Sequence, residues 1–168
     1  MSKIKCKCEP GPGLYHEDGH CKVVRVRVAT FGTFDLIHKG HKNIITRASE
    51  MGDELYVGVS TDQFSYKKKG HYPEIPFEDR CEMVRSIKGV TNVFPEKALY
   101  LKRGYIELYK IDILVMGSDH TGEYDDLKDV VKVVYLDRTP DVSTTQIKNQ
   151  INKVKPRPLI KKKQKLLF

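Results

Sequence analysis

The sequence predicts a single α/β domain with a mainly parallel sheet and helices on both of its faces. Two observations carry this prediction. Short apolar segments rich in valine and isoleucine alternate along the chain with segments whose apolar residues recur at helical spacing. The first strand, helix and second strand are also so closely connected that they form a right-handed crossover, which makes both strands parallel. At 168 residues the chain has room for one such domain.

The first half of the chain contains this crossover. Residues 1–22 are expected to form an irregular extension, because glycine and proline interrupt them. The β-branched run over residues 23–29 predicts the first strand. Apolar spacing over residues 43–51 predicts a helix, and the apolar run Glu54–Ser60 predicts the next strand.

The second half completes the sheet. Polar, basic residues over 61–76 indicate a mobile loop above a ligand site. The remaining expected elements, in chain order, are a helix over 76–88, a strand over 91–94, a helix over 98–110, strands over 113–116 and 130–136, and a helix from Ser143 or Thr144 to about residue 153. This order is typical of a Rossmann-like sheet. We therefore divide the chain into an extension (1–22), a domain (23–153) and a basic tail (154–168).

The net charge of +8 suits a polyanionic ligand. Lysines are concentrated at 67–69 and 161–163, but no nucleic-acid recognition motif accompanies them, so no nucleic acid is expected as a partner. No apolar run approaches the ~20 residues of a membrane span, and the first residues lack the apolar core of a signal peptide. We therefore expect a cytoplasmic protein without a membrane span.

The cysteines near the N-terminus raise the question of a metal site. Cys6, Cys8 and Cys21 lie near His16 and His20, and these residue types could bind zinc. Their spacing matches no standard zinc site, and the segment is loop-like. We therefore expect free thiols and no bound metal there.

Residues 32–41, which read Gly-Thr-Phe-Asp-Leu-Ile-His-Lys-Gly-His, form the turn between the first strand and the first helix. Such a turn is where an open parallel sheet binds its ligand. Glycine lets the backbone approach a phosphate, and a helix start offers free N–H groups and a positive dipole end. His38 and His41 are three residues apart there, so both side chains lean toward one point. Two such donors suit charge that develops on a phosphoryl group.

A second anion site is predicted where the last strand leads into the last helix. Residues 138–147 read Arg-Thr-Pro-Asp-Val-Ser-Thr-Thr-Gln-Ile. Ser143 or Thr144 caps the helix. Hydroxyls and backbone amides at that start, with Arg138 just upstream, can bind phosphate oxygens.

Together the two blocks resemble the signatures of a known family. Residues 32–41 are similar to the signature of the nucleotidyltransferase superfamily whose hallmark is His-x-Gly-His, and they are closest to its cytidylyltransferase branch. Residues 138–144 resemble the Arg-Thr-x-Gly-x-Ser-Thr motif of cytidylyltransferases, with Asp141 in place of glycine. The resemblance covers residues 26–151. It implies transfer of a cytidylyl group from CTP to a small phosphate monoester, a Mg²⁺ ion held mainly by substrate, and a homodimer.

The resemblance also implies roles for individual residues. The expected catalytic groups are His38, His41, Lys68 and Arg138, with Lys69 as the alternative to Lys68. The expected nucleotide-binding residues are Gly32, Thr33, Phe34, Gly40, Thr139, Ser143 and Thr144. The expected contacts to the acceptor substrate come from Asp35, Arg80, Asp119 and His120. No side chains are expected to ligate a metal.

Residues 116–125 favour glycerol 3-phosphate as the acceptor. They are similar to the Met-Gly-Asp-Asp-Trp-x-Gly-Lys-Phe-Asp of the glycerol-3-phosphate enzymes, with Ser118 and His120 in place of an acid and a tryptophan. Choline phosphate and ethanolamine phosphate are the alternatives within the class, and an adenylyltransferase acting on FMN or a sugar phosphate is a further one. Outside the class, the alternative is a non-catalytic nucleotide-binding or polyanion-binding protein.

Overall fold

The computed structural model describes residues 14–17, 20–23 and 25–137. Its first elements are two short antiparallel strands, β1 (Leu14–Glu17) and β2 (His20–Val23), which pair as a hairpin. The expectation of an irregular extension is therefore wrong for these residues. Cys6 and Cys8 of the proposed thiol set, and the tail over 154–168, lie outside the described residues.

Five parallel strands form the main sheet, which confirms the predicted fold class. They are β3 (Arg27–Gly32), β4 (Glu54–Ser60), β5 (Asn92–Glu96), β6 (Ile113–Gly117) and β7 (Lys132–Leu136). Their spatial order is β5-β4-β3-β6-β7. The first crossover runs outward from β3 to β4, and a later one returns to the other side of β3. The strand order therefore reverses between β3 and β6, and this is where sheets of this kind bind ligands.

Four helices connect the strands: α1 (Lys39–Ser49), α2 (Asp62–Lys69), α3 (Phe77–Arg85) and α4 (Lys102–Tyr109). Single turns of 3-10 helix lie at Leu99–Leu101, Ser118–His120 and Asp125–Leu127. No helix within the described ranges is long and apolar enough to cross a membrane.

The two faces of the sheet bury separate hydrophobic clusters, as the alternation of side chains along a strand requires. On one face, Val28 and Val115 pack with Ile45 of α1 and Val84 of α3, and all four are fully buried. The other face buries a second cluster, whose members include Ala29, Phe31 and Leu114 of the sheet, Ile106 of α4 and Tyr124. Helices therefore cover both faces, as predicted.

Two predicted elements differ from the observed ones. The valine-rich run over 23–29 is divided, because Val23 pairs with Leu14 in the hairpin while the sheet strand starts at Arg27. The expected loop over 61–76 contains α2 instead. Thr61 caps this helix by accepting a hydrogen bond from the Phe64 amide, and Gly70 ends it in the left-handed conformation (φ 78°).

Candidate active site

The turn between β3 and α1 is held in an unusual backbone conformation. Phe34 and Leu36 have positive φ angles of 53° and 48°, which non-glycine residues rarely adopt. The Phe34 ring packs over Gly32, where an added Cβ would lie 3.1 Å from the ring. The Asp35 carboxylate accepts hydrogen bonds from the backbone amides of Glu74 and Ile75. Packing and hydrogen bonding thus hold a strained turn in place, as is common at functional sites.

His38 is fixed at the start of α1. Its backbone is extended (φ −125°, ψ 174°), and its Nδ1 accepts a hydrogen bond from the Gly40 amide at 3.1 Å. Because Nδ1 accepts, a neutral His38 ring carries its proton on Nε2. The His38 ring stacks on His41 with centroids 3.9 Å apart and an interplanar angle of 24°. The two imidazoles therefore form one compact unit at the helix start.

His41 lies beneath the turn, partly buried. Its ring packs against the edge of Phe34 at 5.4 Å, and its Nδ1 is buried with no hydrogen-bond partner among the described residues. Burial lowers the pKa of His41 to about 4, and neighbouring His38 and Lys69 act in the same direction, while Asp35 opposes them. His41 is therefore neutral near pH 7.

A cavity of about 450 Å³ opens beside this pair, at the carboxyl ends of the strands. The expected site residues that line it are Gly32, Thr33, Phe34, Asp35, His38, Gly40, His41, Lys68, Asp119 and His120. Segments that follow β3, α2 and β6 thus meet at one place. The cavity's size is in the range of small-molecule sites.

Lys68 and Lys69 both line the cavity from the end of α2. The sequence interpretation preferred Lys68. The positive charge of Lys69 lowers the pKa of the His41 imidazole. Both lysines are therefore positioned to act on an anion in the cavity.

Arg80 requires a correction. It was expected to contact a substrate phosphate, but its side chain is fully buried and does not line the cavity. Its guanidinium donates to the backbone carbonyl oxygens of Thr33, Ser60 and Ile75 and to the carboxylate of Asp62. Arg80 therefore links the ends of the strands to α2 through hydrogen bonds, and it does not contact the cavity.

Asp119 and His120 follow β6 on a 3-10 turn at the edge of the cavity. His120 Nδ1 lies 2.7 Å from a carboxylate oxygen of Glu123 and its Nε2 lies 3.7 Å from one of Asp119. Asp119 is largely exposed. The residues that follow β6 thus form a polar cluster in the cavity wall, where the acceptor substrate is expected to bind.

Several cavity residues were missed at the sequence level. They are Ser60, Glu96, Lys102 and Tyr124 on one side and Arg47 on the other. Glu96 gave a usable signal, because it ends β5 and polar residues at strand carboxyl ends gather at the ligand edge. Lys102 gave none, since a lysine at a helix start usually faces solvent.

Arg138, Thr139, Ser143 and Thr144 lie outside the described residues. β7 ends at Leu136, and both Leu136 and Asp137 line the cavity. Arg47 of α1 donates to the Asp137 carbonyl oxygen at 3.0 Å. The described residues therefore end at the cavity wall, and the second predicted anion site, residues 138–147, follows directly in sequence.

A parallel sheet with two stacked imidazoles at a helix start, beside its switch point, defines an α/β protein built to bind an anionic ligand such as a nucleotide. The family model described as cytidylyltransferase-like matches residues 29–152. The chain belongs to this family, which confirms the resemblance of its two motifs.

Curated relatives agree with this assignment, and a solved structure shares the fold. A glycerol-3-phosphate cytidylyltransferase of Staphylococcus aureus is 46% identical over 127 residues, which cover 74% of this chain and 94% of that protein. The enzyme of the same name from Bacillus subtilis is 44% identical over 126 residues, covering 74% and 96%. A lipopolysaccharide core biosynthesis protein from Thermoplasma volcanium shares the fold, with a TM-score of 0.61, 24% identity and coverage of 68% and 98%.

Proposed function

We propose that this protein transfers a cytidylyl group from CTP to glycerol 3-phosphate, giving CDP-glycerol and pyrophosphate. The observation that carries the proposal is the stacked pair of His38 and His41, set in a cavity at the switch point of the sheet. The names of the two bacterial relatives and their coverage of nearly whole proteins support this nucleotide and acceptor.

The reaction needs no general base, because the acceptor phosphate is already an anionic nucleophile. One of its oxygens attacks the α-phosphorus of CTP. The new P–O bond forms as the bond from the α-phosphorus to the bridging oxygen breaks, and pyrophosphate leaves with that electron pair. The protein contributes position and neutralisation of charge.

The described residues divide this work. His38 donates its Nε2 proton as a hydrogen bond to a phosphoryl oxygen, and neutral His41 beside it supplies a second polar contact. Lys68 and Lys69 bring positive charge to the same oxygens from α2. In the same proposal Arg138, Thr139, Ser143 and Thr144 hold the β- and γ-phosphates, and the position of β7 beside the cavity supports this.

A Mg²⁺ ion belongs to the proposal. Within the part of the chain that the structure describes, no three His, Cys, Asp or Glu side chains are grouped to hold a metal ion. This fits Mg²⁺, which commonly binds through substrate phosphates with one or two carboxylates. When bound, the ion neutralises phosphate charge.

The resemblance to cytidylyltransferases extends the proposal to a homodimer. Sedimentation equilibrium of the full chain at several concentrations measures this directly. A mass near twice 19.3 kDa is expected, and a mass of one chain throughout would contradict it.

Pyrophosphate release tests the reaction. Each of four nucleoside triphosphates is assayed with glycerol 3-phosphate, choline phosphate, ethanolamine phosphate, FMN and a sugar phosphate, and kcat/KM is compared. CTP with glycerol 3-phosphate should be best, by ~10²-fold over ATP, because a pocket that pairs with cytosine leaves polar groups unmatched by another base. ATP equal to CTP would indicate an adenylyltransferase. No release with any pair would favour a non-catalytic binding protein.

A further inference from the structure

A buried lysine lies in the wall of the cavity, and the proposed chemistry does not use it. Lys102 begins α4 and is 4% exposed. Its Nζ donates to one carboxylate oxygen of Glu96, which is 2% exposed, and the other oxygen accepts from the Ser60 hydroxyl at 2.7 Å. All three residues line the cavity. A charged cluster inside the protein thus faces the space where substrates bind.

The same ammonium group lies against two aromatic rings. Lys102 Nζ is 3.9 Å from the ring centre of Phe31 and 5.3 Å from that of Tyr124. A cation within about 6 Å of a ring face is attracted by it. Phe31 packs directly over Gly58, where a Cβ would lie 2.3 Å from the ring, and it meets Phe94 edge-on at 5.6 Å. We call the site formed by the rings of Phe31 and Tyr124 and the carboxylate of Glu96 the aromatic cage. The cation that occupies it is the ammonium group of Lys102.

The aromatic cage lies in the same cavity as the two histidines. Phe31, Glu96 and Tyr124 line this cavity, as do His38 and His41. An acceptor that binds there to attack the α-phosphorus therefore shares the cavity with the cage.

We propose that Lys102 determines acceptor specificity by occupying the cage itself, so that a phosphate monoester with a cationic ammonium headgroup is excluded and an uncharged polyol is accepted. This inference rests on the proposed function and names its substrate class. Quaternary ammonium groups such as that of choline are bound by aromatic rings, and here two rings and a carboxylate already surround the ammonium group of Lys102. Hydroxyl groups of a polyol, by contrast, can accept from Lys102 and donate to Glu96.

The charge state of Lys102 agrees with this role. Burial lowers the pKa of its amine, but the Glu96 carboxylate in direct contact opposes that shift. A second cation would meet this ammonium at close range in a site of low dielectric, where like charges repel strongly.

Removing the lysine tests the proposal. Lys102→Ala vacates the cage, and the full-length variant should bind choline phosphate at least ~10-fold more tightly than the wild type in titration calorimetry. With CTP, its kcat/KM ratio for choline phosphate against glycerol 3-phosphate should rise by a similar factor. Lys102→Arg keeps the charge and should keep rejecting choline phosphate. The matched control is Lys132→Ala, an exposed lysine at the amino end of β7 that does not line the cavity.

A second variant tests whether the result depends on a folding defect in Lys102→Ala. Glu96→Gln/Lys102→Ala removes the carboxylate that the single change leaves unpaired, and it retains both rings. It should show a smaller but measurable gain in choline phosphate binding. Choline phosphate binding unchanged from wild type in the folded variants overturns the proposal. A wild type without turnover on any acceptor overturns the proposed function instead, and calorimetry then still decides the role of the cage.

Discussion

At the scale of single residues, the two imidazoles at the start of α1 differ although they stack on each other. His38 accepts a hydrogen bond from the helix backbone, which fixes the tautomer of its neutral ring. His41 packs against Phe34, its Nδ1 is buried with no partner among the residues that the structure describes, and its pKa is lowered to about 4. One ring is therefore a preoriented donor, and the other is a neutral polar group kept from water.

His41→Ala should lower kcat by ~10²–10³-fold, while CTP binding weakens much less. The reason is that its contact becomes strongest as charge develops in the transition state. Steady-state turnover and equilibrium CTP binding measure the two effects. His71→Ala is the control, because His71 is exposed and lies outside the cavity lining. Turnover of His41→Ala close to wild type would remove the role assigned to the signature turn.

The pKa of His41 also makes stability depend on pH. The unfolded imidazole titrates near 6.5 and the folded one at about 4, so between these values only the unfolded chain takes up the proton. Stability is thus retained above pH 6.5 and falls as the pH drops toward 4. Between pH 7 and 5 this residue alone should account for a loss of about 2 kcal/mol. Urea unfolding should show a smaller loss for His41→Gln, and equal losses would contradict the assignment.

At the scale of elements, α2 and α3 depend on one buried guanidinium. Arg80 of α3 donates to carbonyl oxygens of Thr33 and Ser60, at the ends of β3 and β4, and to Asp62 at the start of α2. Two segments that are distant from α3 in sequence, at Thr33 and at residues 60–62, therefore share a single donor group. The position of the lysines on α2 follows from this contact.

Arg80→Lys should destabilise the protein by roughly 2–4 kcal/mol, because an ammonium cannot reach all of these acceptors and leaves some buried without partners. Guanidinium chloride unfolding measures the change. Arg85→Lys, in the exposed last turn of the same helix, is the matched control and should be near neutral. Unchanged stability of Arg80→Lys together with weakened CTP binding would restore Arg80 as a substrate contact.

Strands that are buried in the sheet could be predicted from the sequence, whereas a helix made mostly of polar residues could not. Glu54–Ser60 was placed at its observed bounds, because a continuous apolar run between turn residues has one stable environment. The helix α2 has no apolar face to reveal it, and it depends on the Thr61 cap and the Asp62–Arg80 pair. Its prediction as a loop failed for that reason.

The same distinction holds for the site. The signature turn was found because the spacing of His38 and His41 reflects local helix geometry. Glu96 and Lys102 were missed because each residue type is usually exposed, and only the fold brings the two together beneath the ring of Phe31. Of this pair only Glu96 has a signal in the sequence, namely its place near the carboxyl end of a predicted strand.

At the scale of the whole molecule, the net charge of +8 is distributed unevenly, with lysines clustered in the tail from residue 156 onward. The family match ends at residue 152, before this tail begins. Positive charge needed for chemistry is already present at the cavity in Lys68 and Lys69.

A chain that ends at Val154 should therefore fold and keep kcat/KM within about twofold of the full chain, since it retains every residue that the family model matches. Turnover and thermal unfolding of both forms provide the comparison. A truncated chain that folds normally but cannot turn over would place the tail lysines at the active site.

The sheet order also sets a sequence of events during folding. On one side β3 pairs with β4, with Val28 beside Leu55, and on the other side Val28 pairs with Ile113. The second contact, with the bond from the Arg27 amide to the Asp112 carboxylate, closes a loop of 85 residues. Closure of so long a loop is slower than formation of the local crossover. The local crossover carries both histidines, but the cavity beside them is complete only when β6 and β7 have docked, so capture of a nucleotide depends on the contacts that are most distant in sequence.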